Sequence, residues 1–184
     1  MIATLAVGLM AQAGASAEGR SISLSDFEAG IAGWVTNDAV KHAGKSQDTP
    51  LVSIAPSPGG RAGSQCLEVA FHPGEGWAGA YILLGSVADA LAEARVDEFA
   101  LWMKGDGQAK EVKLDLQAWT DQGVPTFFGV PVSLKDTEWH EVVIPLAEFQ
   151  ASNPQEALRL PSLHAFQIDS SGEIGPAKLW IDDL

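Results

Sequence analysis

Two groups of side chains in this chain have types and spacing suited to chemistry. The first is a pair of acidic tags, Asp26-Phe27-Glu28 near the start and Asp182-Asp183 at the finish. A hard divalent cation such as calcium takes several oxygens from carboxylates, carbonyls and water, so a seam that brings two terminal strands together has suitable donors. Glu28, Asp183 and Asp182 supply the carboxylates. Because side chains alternate along a strand, only one of the neighbouring Asp182 and Asp183 points to a given side. Without an ion, the same residues are solvated acids at strand ends.

The second group lies on residues 112–119, where Val112, Leu114, Leu116 and Ala118 form one apolar face. A period of two sends Lys113, Asp115, Gln117 and Trp119 to the opposite face. A tryptophan on the polar side has two readings: it is covered by a loop, or it stacks on a ligand. Sugar rings pack axial C–H groups on an aromatic face while carboxylates and amides bond vicinal hydroxyls, so Asp115, Gln117 and Trp119 make a sugar platform. Trp77 and Tyr81 share a face with Gly79 between them, which leaves either a gap for a ligand or an aromatic pair closing a sandwich edge. His164, Gln167 and Asp169 are further candidates on a later strand. Trp34, Trp102, Trp139 and Trp180 read as packing, with Trp102 able instead to face the other side of its sheet.

Signals for catalysis are thin. The chain has no G-x-S-x-G elbow, H-E-x-x-H helix, Walker loop or Cys/His zinc spacing, and His42, His72, His140 and His164 are dispersed. Glu111, Asp115 and Asp121 could in principle supply the paired carboxylates of glycoside hydrolysis, but any acidic β-protein offers such pairs.

The elements that must position these residues are strands. Residues 22–27, 51–54, 66–71, 78–84, 98–104, 110–119, 126–132, 139–144, 165–169 and 178–184 are strand-like, separated by Gly, Pro, Asn and Asp turns. A short helix is expected over 86–95, capped by Ser86. Gly105-Asp106-Gly107 reads as the turn of a hairpin, Asp121-Gln122-Gly123 as the next, and Asp136-Thr137-Glu138 as the lead into a third strand. This pattern predicts an all-β, two-sheet antiparallel sandwich of the jelly-roll kind.

With 184 residues the chain is long enough for one domain with a sizeable core. A net charge of −13 opposes binding to nucleic acid or anionic lipid. Residues 1–17 have an apolar run and an Ala-Ser-Ala cleavage pattern, which predicts a signal peptide, a domain over 18–184 and a secreted or periplasmic protein. No segment is long and apolar enough to span a membrane. Cys66 is the only cysteine, which excludes an internal disulfide; its alternating surroundings make it a packed thiol.

Asp26-Phe27-Glu28 with Gly33-Trp34, the segment from Gly63 to Val69, Lys104-Gly105-Asp106-Gly107, Trp139 with Val142 to Pro145 and Phe149, and the closing Ile181-Asp182-Asp183-Leu184 resemble the galactose-binding-like jelly rolls. Family 11 carbohydrate-binding modules and the complex I intermediate-associated protein 30 type domain are the most similar of these. The resemblance implies a structural calcium near the paired termini, with Ser64 beside Gly63 adding oxygens to Glu28, Asp182 and Asp183. It also implies a sheet face that holds a glycan, β-glucan among the candidates. Two departures stand out: Tyr81 is the single tyrosine where family 11 grooves are rich in tyrosine, and the chain stops at Leu184 while the last strand should still run. The second suggests a longer parent protein with a catalytic domain.

These readings lead to a calcium-stabilised, non-catalytic glycan-binding module that serves targeting or substrate retention. The alternatives are a protein-binding assembly or structural module of the same fold, and a small glycosidase or lyase.

Overall fold

In a computed structural model, residues 21–42 and 50–184 are described; the signal segment read at 1–17 lies outside them. Strand alternation works as the sequence requires in β6 (Glu111–Trp119), which buries Val112, Leu114, Leu116 and Ala118 and turns Lys113 and Trp119 outward. A turn closed by Thr120 N–H donating to the Val124 carbonyl at 2.9 Å, with Gly123 at φ 72°, folds β7 (Pro125–Ser133) back onto β6. This is the expected hairpin at 121–123.

The remaining strands are β1 (Trp34–Asp38), β2 (Val52–Pro58), β3 (Gln65–Phe71), β4 (Gly74–Leu83), β5 (Glu98–Gly105), β8 (His140–Pro145), β9 (Gln150–Ala151), β10 (Leu163–Ile174) and β11 (Ala177–Asp182). They form two antiparallel sheets, a six-stranded one in the order β1-β4-β10-β6-β7-β9 and a five-stranded one in the order β2-β3-β11-β5-β8. The all-β two-sheet sandwich is therefore as expected. Between the sheets, Leu114, Leu116, Phe166 and Ile168 of the first and Leu67, Leu101, Met103 and Leu179 of the second are buried in one core. Phe166 stacks on Phe99 at 5.9 Å and meets Trp34 edge-on at 6.3 Å. Each large apolar side chain fully buried in this way contributes about 1.5–3 kcal/mol.

Several local expectations are corrected. The segment 22–27 is not a strand: Phe27 adopts φ 58°, although Leu24 and Ser25 still donate N–H groups to the Leu184 carbonyl at 2.7 and 3.0 Å. The sequence reading passed over β1, which pairs with β4 at the sheet edge. A one-turn helix α1 (Ala39–His42) follows β1, and the helix α2 spans Ala88–Ala94, shorter than the expected 86–95; Val87 stands at its N-cap without a side-chain bond, and Arg95 ends it at φ 55°. The Gly105-Asp106-Gly107 segment is no hairpin. It carries the chain from β5 in one sheet to β6 in the other, and β5 pairs instead with β8. Gly105 is needed there for close approach, since a β-carbon would collide with the Leu134 backbone, and its N–H donates to the Asp136 carbonyl at 2.6 Å.

Candidate functional site

The outer face of the six-stranded sheet collects the candidate ligand residues from three strands, β4, β6 and β10. In the central row, Val35 of β1, Tyr81 of β4, Gln167 of β10, Asp115 of β6 and Gly129 of β7 are successive cross-strand partners. One row to one side lie Leu83, Ala165, Gln117 and Phe127; to the other lie Asn37, Gly79, Asp169, Lys113 and Pro131. Trp119 stands at one end of the face, paired with Pro125, and Trp77 at the other, paired with Ser171. They are separated along β10 by about eight residues, roughly 26 Å at about 3.3 Å per residue. Trp119 is 43% exposed and Trp77 38%. All five residues read as a ligand surface, Asp115, Gln117, Trp119, Trp77 and Tyr81, thus belong to one face.

The structure changes the expected roles of two positions. Asp115 is only 5% exposed, so it forms the floor of the face rather than a free platform. It fits because Gly129 opposite has no side chain; a β-carbon there would land on Asp115 Oδ1. The gap at Gly79 is occupied from the β10 side, where a β-carbon at 79 would stand 3.2 Å from both Asp169 Cβ and the Ile168 carbonyl. Trp119 meets the His164 ring edge-on at 5.2 Å, which fixes its orientation without covering it. Asp169, a further candidate at first, is central: it is the diagonal neighbour of Asp115 across β10 and β6, and its Oδ1 is buried with no donor facing it. Burial first, then the neighbouring Asp115 carboxylate, push the Asp169 carboxyl up to about 8, with Lys113 opposing. The period of two placed Lys113 on this face without a role, whereas nothing in the sequence singled out Phe127 or Gly129; the signal for Gly129 was a glycine inside a strand, which marks a close approach.

The acids at the two termini converge as well. Asp182 is 1% exposed, and its Oδ2 accepts the Arg61 N–H at 2.9 Å and the Ser64 hydroxyl at 2.6 Å. Its Oδ1 accepts the Asp183 N–H at 3.0 Å, and Glu28 Oε1 accepts the Gln65 N–H at 2.9 Å. A β-carbon on Gly60 would fall 2.5 Å from Ser64 Oγ and 2.7 Å from Asp182 Oδ2, so only glycine fits that turn. Burial first, then the Asp182 charge, raises the Asp183 carboxyl above the usual carboxylate range, while Arg61 opposes from 3.5 Å. The donor set is all oxygen, carboxylate and hydroxyl, which is the chemistry calcium selects. The carboxylates are nevertheless held by separate donors: among the described residues no three acids, histidines or cysteines are grouped to hold a metal.

Of the tryptophans read as packing, Trp34 is buried in the core, but Trp102 and Trp180 lie on the outer face of the five-stranded sheet, aligned with Asp182 and Lys104 respectively. They pack there under cations: the Arg61 guanidinium sits 3.8 Å over the Trp102 ring, and Lys104 Nζ lies 4.9 Å from the Trp139 ring and 5.2 Å from that of Trp180. Cys66 is a buried thiol, donating to the Ser57 carbonyl at 3.4 Å. A recess of about 420 Å³ lies elsewhere, between residues 21–24, the α2 end and Leu184; apart from Asp183 it holds none of the residues read as sites.

Among solved structures, the family 11 carbohydrate-binding module of the cellulosomal cellulase Lic26A-Cel5E of Clostridium thermocellum matches with TM-score 0.65 and 14% identity, over 88% of this chain and 90% of that one. A family 11 module from Clostridium thermocellum in complex with a β-1,3-1,4-mixed-linked tetrasaccharide matches at TM-score 0.63 and 17% identity, over 88% and 91%. A family 30 carbohydrate-binding module matches at 0.55 and 12%, over 76% and 74%. At these identities the likeness establishes the fold, a β-sandwich shared with carbohydrate-binding modules. No family model and no curated protein matches the chain.

Proposed function

We propose that this chain is a non-catalytic glycan-binding module that holds a polysaccharide chain along the outer face of its six-stranded sheet, for targeting or substrate retention. One observation carries the reading: two exposed tryptophans, Trp119 and Trp77, stand at opposite ends of a face whose middle is Gln117, Asp115, Gln167, Asp169 and Lys113. Stacking surfaces with hydrogen-bonding groups between them suit the alternating apolar and hydroxyl surfaces of a glycan. An open face, not an enclosed cavity, admits a chain that continues past both ends.

The solved family 11 relative is bound to a mixed-linked tetrasaccharide, so that oligosaccharide is the first ligand to test. Calorimetric titration of the protein should give saturable binding to it or to a related soluble β-glucan. Heat-silent titrations across a panel of β-glucans, xylans and mannans, with no retention on insoluble polysaccharide, would overturn the reading.

Two further parts complete the proposal. Calcium would be held by Glu28, Ser64, Asp182 and Asp183, supplying positive charge that ties residues 24–28 to the end of β11. Residues 1–17 would direct the protein to a secreted or periplasmic location; mass spectrometry of exported protein beginning near Glu18 would support it, and retention of Met1 would contradict it.

A further inference from the structure

The floor of the sheet face holds a feature that glycan binding alone does not require. Asp115 and Asp169 sit on adjacent strands, β6 and β10, and both turn to the outer face. Two ionised carboxylates in contact repel each other, and a buried carboxylate oxygen without a donor is costly. Asp169 Oδ1 is such an oxygen. Gly129 gives Asp115 the space it occupies, and Gly79 lets Asp169 lie against β4, so each acid is seated in the floor by a glycine on the strand beside it. The other charged or titratable groups turned to this face cannot neutralise both. Lys113 on β6 is aligned with Asp169, Tyr81 on β4 lies beside Gln167, and His164 on β10 lies at the far end against Trp119. Glu75 on β4, Glu111 on β6 and Glu173 on β10 lie further along and add negative charge. β1 and β7 turn no charged group to it, presenting Asn37, Phe127, Gly129 and Pro131.

We propose that Asp115 and Asp169 share one proton and work as a single acid–carboxylate pair, so that the face binds neutral glycans in its protonated form and releases them when the proton is lost. The inference rests on the glycan-binding reading above. In the protonated pair, one O–H donates to the partner carboxylate, and the oxygens of the pair that reach the surface accept from ligand hydroxyls. Loss of the proton leaves two adjacent anions that separate or draw in water and counter-ions, which spoils the floor. Burial and Asp115 raise the Asp169 carboxyl to about 8, which places this change at mildly alkaline pH. The sign for folding follows from the same shift. Between its ordinary value of 3.8 and about 8 the folded state holds a proton that the unfolded chain does not, so stability falls as pH rises through that window and levels off above it.

Three measurements on the whole protein test this. Carbon-detected NMR of the aspartate carboxyls should find one group titrating near 8 in the free protein; a spectrum in which every aspartate, Asp169 included, titrates in the ordinary carboxylate range would overturn the pair. Titration with the mixed-linked tetrasaccharide should give affinity about tenfold weaker at about pH 9.5 than at about pH 6. In Asp169→Asn, an amide of the same shape that cannot ionise, both affinity and melting temperature should lose that pH dependence. A wild-type affinity that does not change with pH would overturn the gating. If no glycan binds at any pH, the glycan reading fails and the gating with it, while the NMR titration and the pH dependence of melting still report on the proton pair itself.

Discussion

Trp119 and Asp115 come from the same strand face yet are built for different work, and this separates their mutational signatures. Trp119 is 43% exposed, so Trp119→Ala should cost less than about 1 kcal/mol of stability. If a stacking contact is worth about 1.4 kcal/mol, its removal weakens glycan binding about tenfold. Phe166→Ala, by contrast, opens the core between the sheets and should cost about 3–5 kcal/mol. Differential scanning calorimetry beside isothermal titration separates the two cases; a Trp119→Ala protein that melts early, or binds as well as the parent, would make Trp119 a packing residue. Gly129→Ala should damage binding without touching a ligand, because its methyl group lands on Asp115 Oδ1. Over-packing of this kind costs about 1–3 kcal/mol, read from the melting curve.

At the scale of elements, local sequence signals reported backbone shape faithfully and pairing partners poorly. β6 was legible because its period of two is unbroken, and that alone assigned Asp115, Gln117 and Trp119 to one face. The 105–107 segment was misread because glycine and aspartate permit a sharp change of direction whether the chain folds back on its own sheet or crosses to the other. What decides is the close approach of Gly105 to Leu134, a contact between distant residues that no local pattern announces. Asp169 was visible only as a further candidate for the same reason: its importance depends on Asp115, on another strand. β1 was missed because a five-residue edge strand with Thr, Asn and Asp in it resembles a turn. Gly105→Ala should therefore destabilise the sandwich by more than its exposed neighbours do, by about 1–3 kcal/mol in denaturant unfolding. An unchanged midpoint would mean that the crossing tolerates a side chain.

For the whole molecule, residues 24–28 meet the end of β11, so the calcium proposed there would act on global stability. A ligand bound only by the folded state stabilises it by about 2.7 kcal/mol at about a hundredfold excess over Kd. Chelation should lower the melting temperature, added calcium should restore it, and Glu28→Ala should respond to neither; an identical melting curve in excess chelator, with no metal found by elemental analysis, would remove calcium from the proposal. The strand order has a consequence of another kind. β10 sits between β4 and β6 in one sheet, and β11 between β3 and β5 in the other. Both middle strands come from residues 163–182, after every strand they join. Until that stretch leaves the ribosome, each sheet exists only as two halves with open edges and a gap where its centre belongs. Such distant pairings are slow to form, and unpaired edges invite association with other chains. The nascent protein must therefore be kept apart from its own copies until its last strands arrive, and both sheets then close together over a common core.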